Sequence, residues 1–212
     1  MPRGRSAWRP VSATQSIHMS PTRPPRRRAN GHLIFARQFF KHPRQIGSII
    51  PSSSFLERRV IAAAALSTAN VVVELGPGTG GMTQAMLQAL PEHARLLSIE
   101  INPVFHEQVS KIRDDRLIAH LGSAADIRAI AASYGLALPD AIVSGIPFST
   151  MSETLGSQIL AEVASALADA GCFVAYQFNP RVAALGKPLL GPPEVSTELL
   201  NFPPMRVFRW AK

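Results

Sequence analysis

Two acids that bracket a glycine cluster are the residues best spaced to do chemistry. Glu74 stands just before Leu75, Gly76, Pro77, Gly78, Thr79, Gly80 and Gly81 in the stretch VVVELGPGTGG at 71–81. Glu100 lies 24 residues beyond Gly76, in a second apolar run, LLSIEI at 96–101. Glycines let a backbone take positive φ and come close to a ligand. An apolar run that ends in glycines and opens a helix leaves free N–H groups that can cradle an anionic or nucleotide-like ligand. A carboxylate ending the next strand can accept hydrogen bonds from both hydroxyls of a ribose. Gly76, Gly78 and Gly81 meet the GxGxxG spacing of dinucleotide sites, but an acid directly before the loop is unusual for a nicotinamide. Glu74 is well placed to act on an ammonium, directly or through water.

Positioning these groups requires strands that end at one edge of a sheet. Short apolar runs predict strands at 71–75, 96–101, 117–121, 172–178 and one starting at 141–143 that leads into SGIPF. Helical patterns fall between them at 55–66, 82–90, 103–112, 126–134 and 153–170. Strands alternating with helices give a doubly wound, mostly parallel α/β sheet with helices on both faces. Two closing runs, 195–200 and 205–210, have no helix between them and predict an antiparallel edge, for seven strands in all. The pattern reads Arg181 as a loop charge.

Charge is concentrated at the N-terminus. The chain has 212 residues and a formal net charge of +8. Residues 1–56 hold ten cations and no acid; the rest holds twelve cations against fourteen acids. That asymmetry calls for a polyanionic partner, either a membrane surface or nucleic acid. Residues 1–30, rich in proline and arginine, read as a disordered basic tail, with a tether, a transit peptide or an inert tail as its uses. Residues 32–42, HLIFARQFFKH, place Leu33, Phe35, Ala36, Phe39 and Phe40 on one helical arc and Arg37, Gln38, Lys41 and His42 on the other. Such an arrangement suits an interfacial membrane helix or a helix packed on its own domain. The expected organisation is therefore a tail at 1–30, a membrane-binding helix and covering loop at 31–54, and a catalytic domain at 55–212. Cys172 is the only cysteine, which excludes an intramolecular disulfide and a cysteine-based metal site. His18, His32, His93, His106 and His120 lack metal-ligand spacing, so no metal is expected. No run has the length of a membrane-spanning helix, and no apolar stretch follows the basic N-terminus as in a signal peptide.

With these residues in view, VVVELGPGTGGMTQAML followed by LLSIEINP resembles motifs I and II of class I S-adenosylmethionine-dependent methyltransferases. It is most similar to the subset shared by rRNA adenine dimethylases and bacterial phospholipid N-methyltransferases. The resemblance implies a Rossmann-like fold. It implies that Glu74 and the loop Gly76, Pro77, Gly78, Thr79, Gly80 hold the methionine moiety, that Glu100 takes the ribose and that Ile101 packs on the adenine. The family's Gly-Asp-Ala step after the third strand reads Gly122, Ser123, Ala124 here, so Ser123 replaces the acid beside the adenine amine. Ser144-Gly145-Ile146-Pro147-Phe148 resembles the Asn-Leu-Pro-Tyr/Phe motif of amino-group methyltransferases. There a polar side chain and a backbone carbonyl accept hydrogen bonds from the target nitrogen, and the ring steadies the cationic product. Ser-Gly-x-Pro-Phe is similar to the phospholipid enzymes, as is FFKHPRQIGSIIPSS at 39–53, which carries Ser48.

The expected activity is transfer of methyl groups from S-adenosylmethionine, leaving S-adenosylhomocysteine, to the amine of phosphatidylethanolamine toward phosphatidylcholine. The acceptor site comprises Ser144, the Ile146 carbonyl and Phe148, with Tyr176 and His42 as candidates for a proton relay. Phe35, Phe39, Phe40, Lys41, Arg44 and Arg181 are expected at the membrane or the lipid phosphate. A monomer, peripheral on the inner face of the cytoplasmic membrane, is the expected setting. The alternative is an rRNA adenine N6-methyltransferase, disfavoured by Ser144 and by the lack of a helical RNA-binding domain before the chain stops at Lys212. A non-catalytic cofactor-binding protein held at membranes is the third reading.

Overall fold

The computed structural model describes residues 52–212. The tail and the segment carrying Phe35, Phe39, Phe40, Lys41, His42, Arg44 and Ser48 lie outside the described residues. The chain runs α1 (Ser54–Ala63), β1 (Val71–Leu75), α2 (Gly81–Ala89), β2 (Arg95–Glu100), α3 (Pro103–Val109), β3 (Leu117–Leu121), α4 (Ile127–Ser133), β4 (Ala141–Ser144), α5 (Glu153–Ala166), β5 (Cys172–Gln177), α6 (Arg181–Leu190), β6 (Glu194–Glu198) and β7 (Met205–Ala211).

The seven strands form one sheet in the order β3-β2-β1-β4-β5-β7-β6. β1 to β5 pair in parallel, and β7 is antiparallel to both β5 and β6. The antiparallel strand expected at this margin is therefore β7, with β6 outside it. β1 is buried along its whole length, as a central parallel strand covered on both faces must be. That explains its unbroken apolar run.

Each sheet face carries its own core. Val73, Leu75, Leu97, Ile99, Ile142 and Phe173 meet α4, α5 and α6. Val72, Leu96, Ala141, Val143 and Val174 meet Leu56 and Val60 of α1 and Met82 and Met86 of α2. Alternation along β1 thus turns Glu74 toward the α1/α2 face. Serines start α1 as expected: the Ser53 hydroxyl accepts from the Leu56 N–H, satisfying an otherwise orphaned donor.

One element departs from the sequence reading. Residues 181–190, where the sequence predicts no helix and Arg181 reads as a loop charge, form α6 despite Gly186 and Pro188. Gly186 is what lets α6 lie on the sheet. A β-carbon there would come within 3.2 Å of the Trp210 ring.

Candidate active site

The glycine loop, Glu100 and the Ser144 step all follow the C-terminal ends of parallel strands, the edge where open α/β sheets bind ligands. β1 gives way to Gly76, Gly78 and Gly80, all at positive φ. Gly76 has a second constraint, since an added β-carbon would meet Ile146 Cγ1 at 3.0 Å. The loop therefore sits against the Ser144–Phe148 segment and delivers the chain into α2.

Glu74 is buried beneath this loop. Its Oε2 accepts from the Thr83 hydroxyl at 2.7 Å and the Ser98 hydroxyl at 2.8 Å. Its Oε1 is buried and has no hydrogen-bond partner. Loss of solvent pushes its carboxyl up to about 7, against the two hydroxyl donors and with help from the Glu100 charge. A buried carboxyl group with one oxygen still unpartnered is an acceptor suited to a cationic donor.

Glu100 closes β2. Its Oε2 accepts from the Gly78 N–H at 3.3 Å and its Oε1 from the Asn102 N–H at 2.8 Å. Burial raises its pKa while these backbone donors oppose the shift. Each oxygen keeps capacity for a further donor such as a ribose hydroxyl. Ile101 follows, half-buried. After β3, the Ser123 hydroxyl accepts from the Ala125 N–H at 3.2 Å, capping the turn that buries Ala124.

At the end of β4 the Ser144 hydroxyl accepts from the Ile146 N–H at 3.3 Å. The Ile146 carbonyl accepts from Gln177 Nε2 at 2.9 Å, leaving Gln177 Oε1 buried and unpartnered. A β-carbon on Gly145 would lie 2.6 Å from the Tyr176 hydroxyl and 2.9 Å from the Gly76 carbonyl. Only glycine permits this junction, where β1, β4 and β5 converge. Burial, reinforced by the Glu74 and Glu57 charges, holds the Tyr176 phenol protonated far above its ordinary range.

No family model matches the chain. An ornithine lipid N-methyltransferase from Singulisphaera acidiphila is 30% identical over 142 residues, which cover 66% of this chain and 74% of that protein. The chain belongs to the class I S-adenosylmethionine-dependent methyltransferases, in the family of that enzyme. A ribosomal RNA small subunit methyltransferase A from Nocardia farcinica is also 30% identical, over 133 residues, but the match spans only 44% of its length. Among solved structures, the N-methyltransferase NodS from Bradyrhizobium japonicum WM9, in complex with S-adenosylhomocysteine, superposes with a TM-score of 0.60. At 14% identity over 85% of this chain and 97% of that one, it supports the fold alone.

In this methyltransferase the structure gathers Glu74, the glycine loop, Glu100, Ser144, the Ile146 carbonyl and Tyr176 at one edge. Phe148 differs from expectation. The turn at Phe148–Thr150 buries its ring completely in the core, under α5 near Met151 and Gly156. No face remains open for a product cation, so the ring's expected role is replaced by packing. Tyr176, held protonated, can relay only as a neutral hydroxyl, not as a phenolate base. Arg181 opens α6 rather than lying in a loop, and its N–H donates to Asn179 Oδ1. Among the described residues no His, Cys, Asp and Glu cluster is arranged to hold a metal, and no helix is long and apolar enough to cross a membrane.

Sequence reasoning missed Thr83, Ser98 and Gln177. Ser98 stands opposite Glu74 in the β1–β2 register. A polar residue interrupting each of the apolar runs LLSIEI and CFVAYQF is the signal that could have found Ser98 and Gln177.

Proposed function

We propose that this methyltransferase transfers methyl groups from S-adenosylmethionine to the headgroup amine of a membrane lipid, phosphatidylethanolamine being converted toward phosphatidylcholine. The observation that carries the lipid over RNA is the relative matched over 74% of its length, whose name records a lipid amine as its acceptor. The serine-glycine step at 144–145 agrees, since it offers no amide or carboxylate of the kind an adenine amino group is expected to meet.

The residues fit the cofactor. The orphaned Glu74 Oε1 awaits a donor and suits the methionine ammonium, with the Gly76, Pro77, Gly78, Thr79 and Gly80 backbone around it. Glu100 takes the ribose hydroxyls, and Ile101, Ser123 and Ala124 line the adenine side. Ser48, outside the described residues, completes the set proposed for the cofactor. Bound here, the sulfonium supplies a methyl group that is already activated for in-line displacement, so the protein's share is alignment and exclusion of water.

The acceptor amine must be neutral to attack, and a lipid amine by analogy with lysine has a pKa of about 10. Ser144 and the Ile146 carbonyl orient its N–H groups. Gln177 holds that carbonyl in place. The Tyr176 hydroxyl, neutral and lodged against Gly145, offers a further polar contact. Lys41, Arg44 and Arg181 meet the lipid phosphate, while Phe35, Phe39 and Phe40 enter the inner face of the membrane beneath a monomeric, peripheral enzyme.

Incubation with methyl-labelled S-adenosylmethionine and either total lipid or total RNA tests this reading. Label in methylated phosphatidylethanolamine is the expected result. Label only in an ornithine lipid would move the acceptor within the lipid class, and label only in RNA would overturn the proposal in favour of the adenine reading.

A further inference from the structure

Beside the site, four apolar side chains stand in solvent. Leu199 is 73% exposed, Leu200 64%, Phe202 87% and Phe178 61%. Three of them belong to the loop at 199–204 between β6 and β7. β7 is antiparallel to β5, with Arg206 opposite Gln177, so this loop lies at the C-terminal edge of the parallel strands. Phe178 directly follows β5 at the same edge. The apolar rim and the methyl-transfer residues therefore share one edge of the sheet.

The loop is built to present these side chains. Its polar groups turn inward instead. Asn201 is buried, its Oδ1 accepting from the Ser53 N–H at 2.9 Å and its Nδ2 donating to the Pro203 carbonyl at 2.9 Å. Glu198 Oε1 accepts from the Leu200 N–H at 2.9 Å, and its Oε2 pairs with Arg59 Nε at 2.9 Å. The acid nearest the loop in sequence is thus neutralised and withdrawn. Cations remain around the rim. Arg206 is exposed and donates to the Phe178 carbonyl, Arg181 starts α6, and Arg58 lies over the half-exposed Phe55 ring. Apolar tips ringed by cations fit an anionic bilayer, whose acyl boundary takes the apolar groups and whose headgroups take the charges.

We propose that the loop at 199–204, together with Phe178, is a wedge that enters the headgroup–acyl boundary of an anionic bilayer beside the active site. It rests on the lipid reading only for the choice of partner. The wedge sets the sheet edge on the membrane, so an amine headgroup reaches Ser144 and Ile146 while its acyl chains stay in the bilayer.

A tryptophan reporter tests it: Phe202→Trp in the full chain, with Trp8→Phe, so that the remaining native indole is Trp210, buried in the core, and its spectrum, recorded on the Trp8→Phe protein alone, is subtracted. Vesicles of phosphatidylethanolamine and phosphatidylglycerol, with and without brominated acyl chains, are the probe. A blue shift on vesicle addition and quenching by the brominated lipid are expected. Separately, Leu199→Ser, Leu200→Ser and Phe202→Ser combined should lower vesicle affinity about tenfold or more, with S-adenosylhomocysteine affinity unchanged. No shift and no quenching on vesicles that the protein sediments with would overturn the wedge. So would an indole already blue-shifted before vesicles are added, or a dimer that the triple variant abolishes with no insertion. Insertion without methylation of any lipid would refute the lipid-substrate reading while leaving the wedge standing.

Discussion

At neutral pH the Glu74 carboxyl sits near its midpoint, because burial opposes its charge and two hydroxyls cannot fully compensate. Its folded value of about 7 lies above the ordinary value of 4.5, so the folded state binds a proton that the unfolded state has released. Its contribution to stability is therefore complete below about 4.5 and is lost as pH rises through about 7. Denaturant titrations from about pH 5 to 8 should show the ligand-free protein losing stability. Glu74→Gln should flatten that slope and be the more stable protein at the alkaline end. Some slope will remain, because Glu100 is shifted in the same direction. A steeper slope in the variant would contradict the assignment. Gln177 makes a different prediction. Its one hydrogen bond fixes the carbonyl assigned to the acceptor amine, and its Oε1 has no partner to lose. Gln177→Leu should lower kcat by about tenfold to a hundredfold through misplacement of that carbonyl. Binding of S-adenosylhomocysteine, measured calorimetrically, should stay within about twofold, since Gln177 lies outside the residues assigned to the cofactor. Equal loss of both would make Gln177 structural.

Among the elements, β1, β3 and the strand–loop–helix unit that holds the glycines were legible because their signals are local. An apolar run, a glycine cluster and a helical period need no knowledge of what packs on them. Helix α6 was not legible, because the reason it forms is tertiary. Gly186 and Pro188 weaken its intrinsic preference, and contact with Trp210 and α5 overrides them. The burial of Phe148 was hidden for the same cause, since it depends on where α5 crosses. Two glycines in these helices separate propensity from packing. At Gly156 of α5 an added methyl meets the flexible Leu185 Cδ1 at 2.9 Å, with the next neighbours at ordinary distances. Leu185 can swing aside, so Gly156→Ala should be neutral or gain up to about 1 kcal/mol of helix propensity. At Gly186 the obstacle is the Trp210 ring at 3.2 Å. That ring is stacked on Phe173 and Phe208 and bonded through Nε1 to the Gly191 carbonyl, so it cannot give way. Overpacking costs roughly 1–3 kcal/mol, which exceeds the propensity gain. Gly186→Ala should therefore lower the urea midpoint while Gly156→Ala leaves or raises it. A stabilised Gly186→Ala would show that the ring is free to move.

For the whole molecule the charge distribution separates two kinds of attraction to a membrane. Residues 1–56 contribute ten cations without an acid, whereas the remainder carries a slight excess of acids. The long-range attraction to an anionic surface therefore belongs to the N-terminal quarter, and it must weaken as salt shortens the screening length to about 10 Å at 0.1 M. Apolar insertion by the loop at 199–204 carries no such dependence. Sedimentation with anionic vesicles should accordingly fall steeply with ionic strength for the full chain. Deleting residues 1–42 removes nine of those ten cations, so it should abolish most of the binding and leave a weak remainder whose salt dependence, carried by the few cations around the loop, is much shallower. Affinity for S-adenosylhomocysteine should be largely retained in the deletion, because Glu74, Glu100 and the glycine loop are held by the sheet and by α1 and α2. Equal loss of vesicle binding and cofactor affinity would instead mean that residues 32–42 pack on the catalytic domain as part of its core. That outcome would favour the second of the two roles the amphipathic pattern allows.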